Sequence, residues 1–231
     1  MSNVKKEIYS ITENTLHIED EELGLQIRLP FSAARSLTDL AAPGVVCERD
    51  EKGQPCTAYY AHEGKQHGIC HLFYPDGSLK AEMFYERGLL HGPSVFYGKD
   101  KQLLTQTWYI EGKKTGKARY FYLSGVLAAL LRYKEGVFHG MQHYWYEDQT
   151  VKSLLPYDAG LLHGSVELFW PSGQRKRLST FVRGQREGMD RLWNEEGLLI
   201  DEGAYEKGRP VGIHRHFASD GTLKEEVAYP S

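Results

Sequence analysis

The chain has 231 residues, room for one or two domains, and its 28 Lys and Arg against 31 Asp and Glu give a formal net charge of −3. This balance argues against a general nucleic-acid-binding protein, which would show a basic stripe. The three cysteines form no Cys-x-x-Cys pair, so they indicate neither a disulfide framework nor a zinc site and fit a reducing compartment. Because the N-terminus is polar and no apolar run approaches about 18 residues, we expect a cytoplasmic protein without a transmembrane helix.

The first 43 residues have no counterpart in the rest of the sequence. Hydrophobicity alternates over 15–18 and 25–29, on either side of an acidic turn at 19–22, which predicts a hairpin. A short helix is predicted over 32–40, between the capping Ser32 and the Pro-Gly pair that follows. We interpret residues 1–43 as an N-terminal cap that closes the open edge of the remaining chain. An independent functional domain is the alternative.

Residues 44–231 repeat with a period of 24. One degenerate copy, which begins at Gly44 and has Arg49 at the expected aromatic position, precedes seven clear copies. Each clear copy contains two glycines four residues apart: Gly64/Gly68, Gly88/Gly92, Gly112/Gly116, Gly136/Gly140, Gly160/Gly164, Gly184/Gly188 and Gly208/Gly212. Positions are counted below from the second glycine, which is position 0. A fixed period in this range is the signature of a repeat array.

Each repeat is predicted to form one β-hairpin. In the first clear copy the strands are 69–74 and 79–85, and they flank Pro75-Asp76-Gly77, where Asp-Gly is a strong hairpin signal. Lys101 and Gln149 replace the turn glycine in two copies. The predicted fold is an all-β, elongated, single-layer, twisted antiparallel sheet of tandem hairpins with a small N-terminal cap. It would have about fifteen strands and a length of about 70 Å.

Aromatic residues recur at positions +5 and +17 of every clear repeat, for example Phe73 and Tyr85. Alternation along the strands predicts that positions +5, +11 and +17 share one structural face. The other face is charged in the terminal repeats and apolar in the middle, so the cap, a second copy of the chain or a partner should cover it. The candidate partner-binding residues are Tyr120, Tyr122, Leu130, Tyr144, Tyr146, Leu154 and Trp170.

Chemistry-bearing motifs are scarce. Histidines recur at position −1 in four repeats, as His67, His91, His139 and His163. Equivalent positions in neighbouring repeats should lie roughly 10 Å apart, too far to share a zinc ion, so no metal and no cofactor is expected. The sequence shows no nucleophile elbow, phosphate-binding loop or His-Glu-x-x-His motif, and we expect no enzymatic activity. Position +3 is either a solvated strand position or a mildly cationic strip for an acidic partner; it holds His71, Val95, Arg119, His143, Glu167, Arg191 and Arg215.

The Gly-x-x-x-Gly spacing, the strand ending in aromatics, the Asp-Gly turn, the following Leu and the Tyr-x-x-Gly ending all occur between Gly64 and Gly88. With these features, residues 44–231 resemble the MORN-repeat family, and most closely its bacterial variant form. The resemblance implies an elongated sheet of hairpins without catalytic residues. Bacterial members of the variant form are often regarded as antitoxin or immunity-like proteins, whereas eukaryotic members are linked to membrane lipids and scaffolding.

We therefore expect a cytoplasmic, non-catalytic protein that binds another protein, with an antitoxin or immunity protein that neutralises a bacterial toxin as the leading hypothesis. The toxin role rests on the resemblance alone. A membrane-lipid-associated or protein–protein scaffold of the MORN type is the alternative, and the net charge of −3 does not favour membrane binding. A homodimer is a further possibility that the sequence leaves open.

Overall fold

The protein is described by a computed structural model over residues 7–12, 15–30 and 44–230. Every regular element within these ranges is a β-strand, as the repeat pattern predicted, whereas the helix predicted over 32–40 lies outside them. The strands are β1 Glu7–Thr12, β2 Thr15–Asp20, β3 Leu25–Pro30, β4 Val45–Arg49, β5 Pro55–His62, β6 Lys65–Phe73, β7 Leu79–Glu86, β8 Leu89–Tyr97, β9 Leu103–Ile110, β10 Lys113–Lys114, β11 Gly116–Phe121, β12 Leu127–Lys134, β13 Val137–Phe138, β14 Gly140–Trp145, β15 Val151–Asp158, β16 Leu161–Leu162, β17 Gly164–Phe169, β18 Arg175–Val182, β19 Gln185–Trp193, β20 Leu199–Glu206, β21 Arg209–Phe217 and β22 Leu223–Tyr229.

The chain forms two compact units. The first unit comprises Met1–Val126 and Arg132–Gly136, and the second comprises Leu127–Leu131 and Val137–Ser231. In both units, successive strands pair antiparallel with their neighbours in sequence. The division of the chain into a cap, 1–43, and an array, 44–231, stays a prediction.

The N-terminal strands of the first unit form a separate antiparallel sheet in the order β1-β2-β3. The predicted hairpin is confirmed as β2 and β3, with its turn at residues 21–24. Asp20 shapes this turn by accepting a hydrogen bond at 3.1 Å from the backbone N–H of Leu23. The sequence analysis did not identify β1, which pairs with β2 from Glu7↔Asp20 to Thr12↔Thr15.

Two kinds of turn explain why glycine recurs. Between β7 and β8, Arg87 and Gly88 have φ of 50° and 85°, the two positive values that a type I′ hairpin turn requires. At the other end of the hairpin, Gly77 has φ of 83° and donates its N–H to Tyr74 O at 2.9 Å. This is the three-residue hairpin loop in which the last residue is left-handed. The same geometry recurs at the equivalent positions of the other repeats.

A β-bulge next to this loop decides which side chains share a face. Leu72 lies opposite Ala81, but Phe73 lies opposite Leu79, so Lys80 is the extra residue. A one-residue shift transfers every following side chain to the other face. Tyr85 therefore lies opposite Gly68, on the face opposite to Phe73. The expectation that the +5 and +17 aromatics share one face was wrong, because the sequence pattern did not reveal the bulge.

The two faces differ in composition. The Phe/Trp face carries positions +1, +3, +5, +14 and +16, and the Tyr face carries positions +2, +4, +13, +15 and +17. On the Tyr face of the first unit, the side chains of Cys70, Ala81 and Met83 are buried against Leu72 and Tyr85. Burial, and next the charge of Glu48, raise the pKa of the Cys70 thiol to about 11. Cys70 is therefore a core residue rather than a reactive thiol.

Candidate functional site

In the first unit, the N-terminal sheet covers the Phe/Trp face. Leu16 and Ile18 of β2 are fully buried against a cluster on this face. That cluster consists of Ala58, Ile69, Phe84 and Trp108. The alternating burial of β2 places every second side chain in this interface. The chain thus supplies its own cover for this part of the Phe/Trp face.

Polar contacts fix the N-terminal sheet in place. Tyr9 Oη donates to Asp20 Oδ2 at 2.9 Å and accepts from the backbone N–H of Lys117 at 2.8 Å. Lys117 Nζ lies 3.4 Å from Asp20 Oδ2, and Arg132 Nη2 lies 3.0 Å from Glu22 Oε2. Both cations are on the Phe/Trp face and both acids are on the N-terminal sheet or its turn. Opposite charges therefore link the two layers at the edge of an apolar contact.

In the second unit, equivalent positions of the Phe/Trp face are exposed. Ile69 at position +1 of the first unit is 6% exposed, whereas Met189 and Ile213 at the same position are 38% and 52% exposed. Half-buried leucines lie at position +14, as Leu130, Leu154 and Leu178, which we call the leucine row. On the intervening strands, His143 lies opposite Leu130 and Leu154. Glu167 lies opposite Leu154 and Leu178. A row of partly exposed leucines is an unusual feature for a solvated sheet face.

Aromatic side chains border the leucine row at position +5. His143 stacks on Trp145 with ring centroids 5.5 Å apart, which confirms that positions +3 and +5 share this face. Phe169 and Trp193 occupy the next repeats, and the Arg175 guanidinium lies 6.0 Å from the Trp193 ring. Leucine, aromatic and charged groups therefore meet on one partly exposed surface, a mixture that is typical of protein interfaces.

The structure distributes the sequence-predicted binding residues over different places. Tyr120 and Tyr122 belong to the first unit, where Tyr120 faces Thr105 on the Tyr face and accepts a hydrogen bond from Lys114 Nζ at 3.2 Å. In the second unit, Leu130 and Leu154 lie in the leucine row. Tyr144 faces Ala129 and Ser153, which places it on the Tyr face. Within the second unit, the two leucines and Tyr144 therefore lie on opposite faces of the sheet.

Tyr146 and Trp170 lie at the turn end of the hairpins. Tyr146 Oη donates to Phe169 O at 3.0 Å, and Trp170 Nε1 donates to Trp193 O at 3.1 Å. Each bond joins one repeat to the next, 23 residues further on. The ammonium groups of Lys152 and Lys176 lie 5.5 and 4.0 Å from the centroids of the two rings. These contacts hold neighbouring repeats together, a role that the sequence analysis did not assign.

The suggested cationic strip at position +3 is electrically neutral in the last repeats. Arg191 Nε and Arg215 Nη1 lie 3.4 and 3.3 Å from the carboxylate of Glu202, and Arg215 Nε donates to Glu226 Oε1 at 2.8 Å. Hydrogen bonds from Arg215 to Glu226, and then to Glu202, raise the pKa of its guanidinium. Glu202 and Glu226 occupy position +14, opposite position +3 in the register. The sequence contains the glutamates that neutralise this strip, but recognising them as partners of the arginines requires the strand register.

A polar cluster lies on the Tyr face of the second unit. Asp190 is buried and accepts hydrogen bonds from Arg177 Nε at 2.9 Å and Ser179 Oγ at 2.7 Å, while Arg186 Nη1 lies 3.4 Å away. Burial raises the pKa of Asp190, but the hydrogen bonds from Arg177 and Ser179 and the charges of both arginines bring it below its usual value. Asp190 is therefore an ionised carboxylate inside a charge-compensated cluster.

Within the ranges that the structure describes, no group of three His, Cys, Asp or Glu side chains is placed to hold a metal ion. The same part of the chain contains no helix that is long and apolar enough to cross a membrane. His67 lies beside His62, with ring centroids 5.6 Å apart, and His139 Nδ1 lies 3.4 Å from Asp158 Oδ1. These histidines are thus held by local contacts within their own hairpins.

One comparison with known proteins bears on the repeat. A family model described as MORN repeat variant matches residues 66–87, which span the paired strands β6 and β7 with their loop. No curated protein matches the chain significantly. The matched segment is one hairpin of the array, and its glycine and aromatic spacing recurs in the other repeats. The match supports the MORN-repeat family for the hairpin over residues 66–87.

Proposed function

We propose that this chain is a non-catalytic binding protein that recognises another protein through the Phe/Trp face of its second unit. The leucine row carries the proposal. Leu130, Leu154 and Leu178 are half-buried on a regular sheet, and Phe169 lies beside them. In the first unit, Ile69 at position +1 and Phe84 and Trp108 at position +16 of the same face are covered by a packed second layer. A protein partner that buries the leucine row would remove the same kind of apolar surface from water.

The finer proposal is an antitoxin or immunity protein, in the cytoplasm of a bacterial cell, that neutralises a toxin by direct binding. It is supported by the resemblance to the bacterial variant form of the MORN repeat and by a rigid surface suited to binding. The paired opposite charges at positions +3 and +14 of the last repeats and the net charge of −3 favour a protein partner over an anionic membrane. The alternative of a membrane-lipid or protein–protein scaffold gives a different result in the experiment below.

The experiment is affinity capture from the native cell with the full chain. We expect one stoichiometric protein, and we expect Leu154→Glu with Leu178→Glu to abolish its recovery because two charges would be buried at the contact. Leu161→Glu with Leu198→Glu is the matched control, since these leucines are 50% and 41% exposed and lie outside the leucine row, at the start of β16 and in a hairpin loop. Capture that is equally sensitive to both pairs would contradict this binding surface.

Expression of the captured partner tests the finer proposal. We expect it to arrest growth, and we expect co-expression of the wild-type chain, but not of the Leu154→Glu/Leu178→Glu variant, to restore growth. A harmless partner would end the immunity proposal and leave protein binding intact. Recovery with anionic phospholipid vesicles, without a protein partner, would instead favour the scaffold alternative.

A further inference from the structure

The last four strands present a separate surface on the Phe/Trp face of the second unit. Its centre is the charge ladder formed by Arg191, Glu202, Arg215 and Glu226, one residue from each of β19, β20, β21 and β22. Apolar side chains border the ladder on both sides. On one side they are Met189, Ala204, Ile213 and Ala228, and on the other they are Trp193, Leu199, Phe217 and Leu223. We call this surface the C-terminal face.

Much of the apolar border is open to solvent. Ile213 and Leu223 are 52% and 53% exposed, and both lie beside charged residues of the ladder. Ile213 lies on one side of the ladder and Leu223 on the other, so exposed aliphatic side chains flank the charges on both sides. Such surfaces on soluble proteins are commonly interaction sites.

The order of charges along the ladder is self-complementary. Read across the strands, the ladder runs positive, negative, positive, negative. A twofold axis parallel to the strands reverses this order in a second copy of the chain, so that Arg191 lies over Glu226 of the partner subunit and Glu202 lies over Arg215 of the partner subunit. All four positions then meet opposite charges. A twofold axis along the ladder would instead place like charges together, which costs free energy.

The first unit shows that this type of face accepts a second sheet. There, Leu16 and Ile18 of the N-terminal sheet pack on the Phe/Trp face, while Lys117 and Arg132 bind acids of the other layer. Apolar contact combined with ion pairs between the two layers is thus a packing mode that this chain already uses. The C-terminal face has the same ingredients, with aliphatic and aromatic borders and a central row of charges.

We propose that the C-terminal face is the contact surface of a homodimer in which two copies pack face to face about a twofold axis parallel to the strands. The apolar borders supply the affinity, and the ladder sets the orientation because like-charged arrangements are excluded. Four strands at a spacing of about 4.8 Å give a footprint of about 19 Å by 17 Å. This is smaller than the surface of a permanent dimer, so the association is reversible and depends on concentration.

Sedimentation velocity on the full chain tests the proposal over about 5 to 500 µM, concentrations that cover a micromolar dissociation constant. The wild-type chain should shift from monomer to dimer as its concentration rises. Arg191→Glu with Arg215→Glu makes the ladder entirely negative and should leave the chain monomeric. Leu161→Glu, at an exposed position of β16 outside the C-terminal face, should dimerise like the wild type.

A charge-swapped variant separates ladder pairing from general destabilisation. Arg191→Glu, Glu202→Arg, Arg215→Glu and Glu226→Arg together preserve every ion pair within the chain and the self-complementary order. This variant should form its own dimer but should not pair with the wild-type chain, because a mixed dimer places like charges opposite each other. Pull-down between differently tagged chains measures that selectivity.

Three results would overturn the proposal. They are a wild-type chain that stays monomeric up to 500 µM, a dimer that persists in the all-negative variant, and mixed dimers that form as readily as pure ones. Because the leucine row and the C-terminal face are tested by different substitutions, loss of the dimer leaves the capture of a heterologous partner unaffected, and the reverse also holds.

Discussion

At the scale of single residues, two hairpin loops differ from the others because they lack glycine at the left-handed position. Lys101 and Gln149 replace glycine in the hairpin loop and have φ of 63° and 70°. Gly173, at the same place in the next repeat after Gln149, has φ of 83°. The left-handed region costs a residue with a Cβ about 1–2 kcal/mol, because the Cβ approaches the following carbonyl oxygen. These two loops are therefore strained relative to the others.

Substitution of Gln149 by Gly should raise the free energy of unfolding by about 1 kcal/mol, the relief of strain exceeding the extra backbone entropy of glycine in the unfolded chain. Chemical denaturation measures the change. Gln149→Ala is the control, because it shortens the side chain but keeps the Cβ and should give no gain. Equal stabilisation by both substitutions would show that the side chain, not the backbone conformation, causes the effect.

Asp190 makes folding stability dependent on pH in the acidic range. Its pKa in the folded protein is lowered, because the hydrogen bonds from Arg177 and Ser179 outweigh the opposing effect of burial. Its contribution to stability is therefore fully present above the unfolded pKa, about 3.9, and is lost as the pH falls through the lower folded pKa. Asp190→Asn should lower stability at pH 7 and make it less dependent on pH between about 4 and 2.

Thermal unfolding of Asp190→Asn at a series of pH values provides the measurement. Asp220→Asn is a suitable control, since Asp220 also has a lowered pKa, from hydrogen bonds with the Thr222 hydroxyl and backbone N–H, but is fully exposed. The cation that interacts with Asp220 is Lys224, which is itself exposed, so replacement of Asp220 leaves no partly buried cation without its partner. If the two variants lose the same stability at pH 7, the contacts of Asp190 with Arg177 and Arg186 do not provide the stabilisation.

At the scale of elements, the N-terminal sheet contributes stability because it covers the Phe/Trp face of the first unit. Ile18 on β2 is fully buried against the cluster that contains Phe84 and Trp108. Ile18→Ala should lower the free energy of unfolding by about 2–4 kcal/mol, through lost apolar burial and a residual cavity. Ile11→Ala on β1 should be nearly neutral, since Ile11 is 38% exposed.

Removal of residues 1–43 should lower both the melting temperature and the solubility, because Phe84 and Trp108 would become exposed. Tryptophan fluorescence of the truncated protein should shift to longer wavelength. An unchanged melting curve would mean that the N-terminal sheet adds little to folding. Lys117→Met tests the polar contacts separately, since it removes the cation facing Asp20 and Glu22 while retaining much of the apolar stem.

The hairpins could be predicted because the residues that define each one lie close together in the sequence. Glycines at the turns and alternating apolar residues define strands such as β6 and β7 without reference to the rest of the molecule. The face assignment was not predictable, because it depends on the single extra residue at Lys80, which leaves no mark in a 24-residue spacing. The neutral ladder was missed for a related reason. Arg215 and Glu226 are 11 residues apart and meet only after the register is known.

At the scale of the whole molecule, the two units are built from the same repeat but differ in how far their Phe/Trp face is covered. The first unit covers its Phe/Trp face with β1, β2 and β3. The second leaves the leucine row and the C-terminal face partly exposed. Packing of residues 15–30 onto the array is a long-range contact that the sequence did not specify, which is why the candidate binding surface could not be located from the repeat alone. Long-range packing thus decides which parts of the face can act as a site.

The rate of backbone amide hydrogen exchange should therefore differ from strand to strand along the chain. In a repeat array each strand is stabilised mainly by its neighbours, so local opening varies with the number of layers and partners around a strand. Strands β7 and β9 lie beneath Leu16 and Ile18, whereas β22 pairs with β21 and most of its side chains are exposed. Amides of 79–86 and 103–110 should exchange slowest, and those of 223–229 fastest among the long strands.

Ile18→Ala should accelerate exchange in 79–86 far more than in 199–206, because most contacts fall within each unit. Equal acceleration of both segments would instead show that the whole array opens in a single cooperative step.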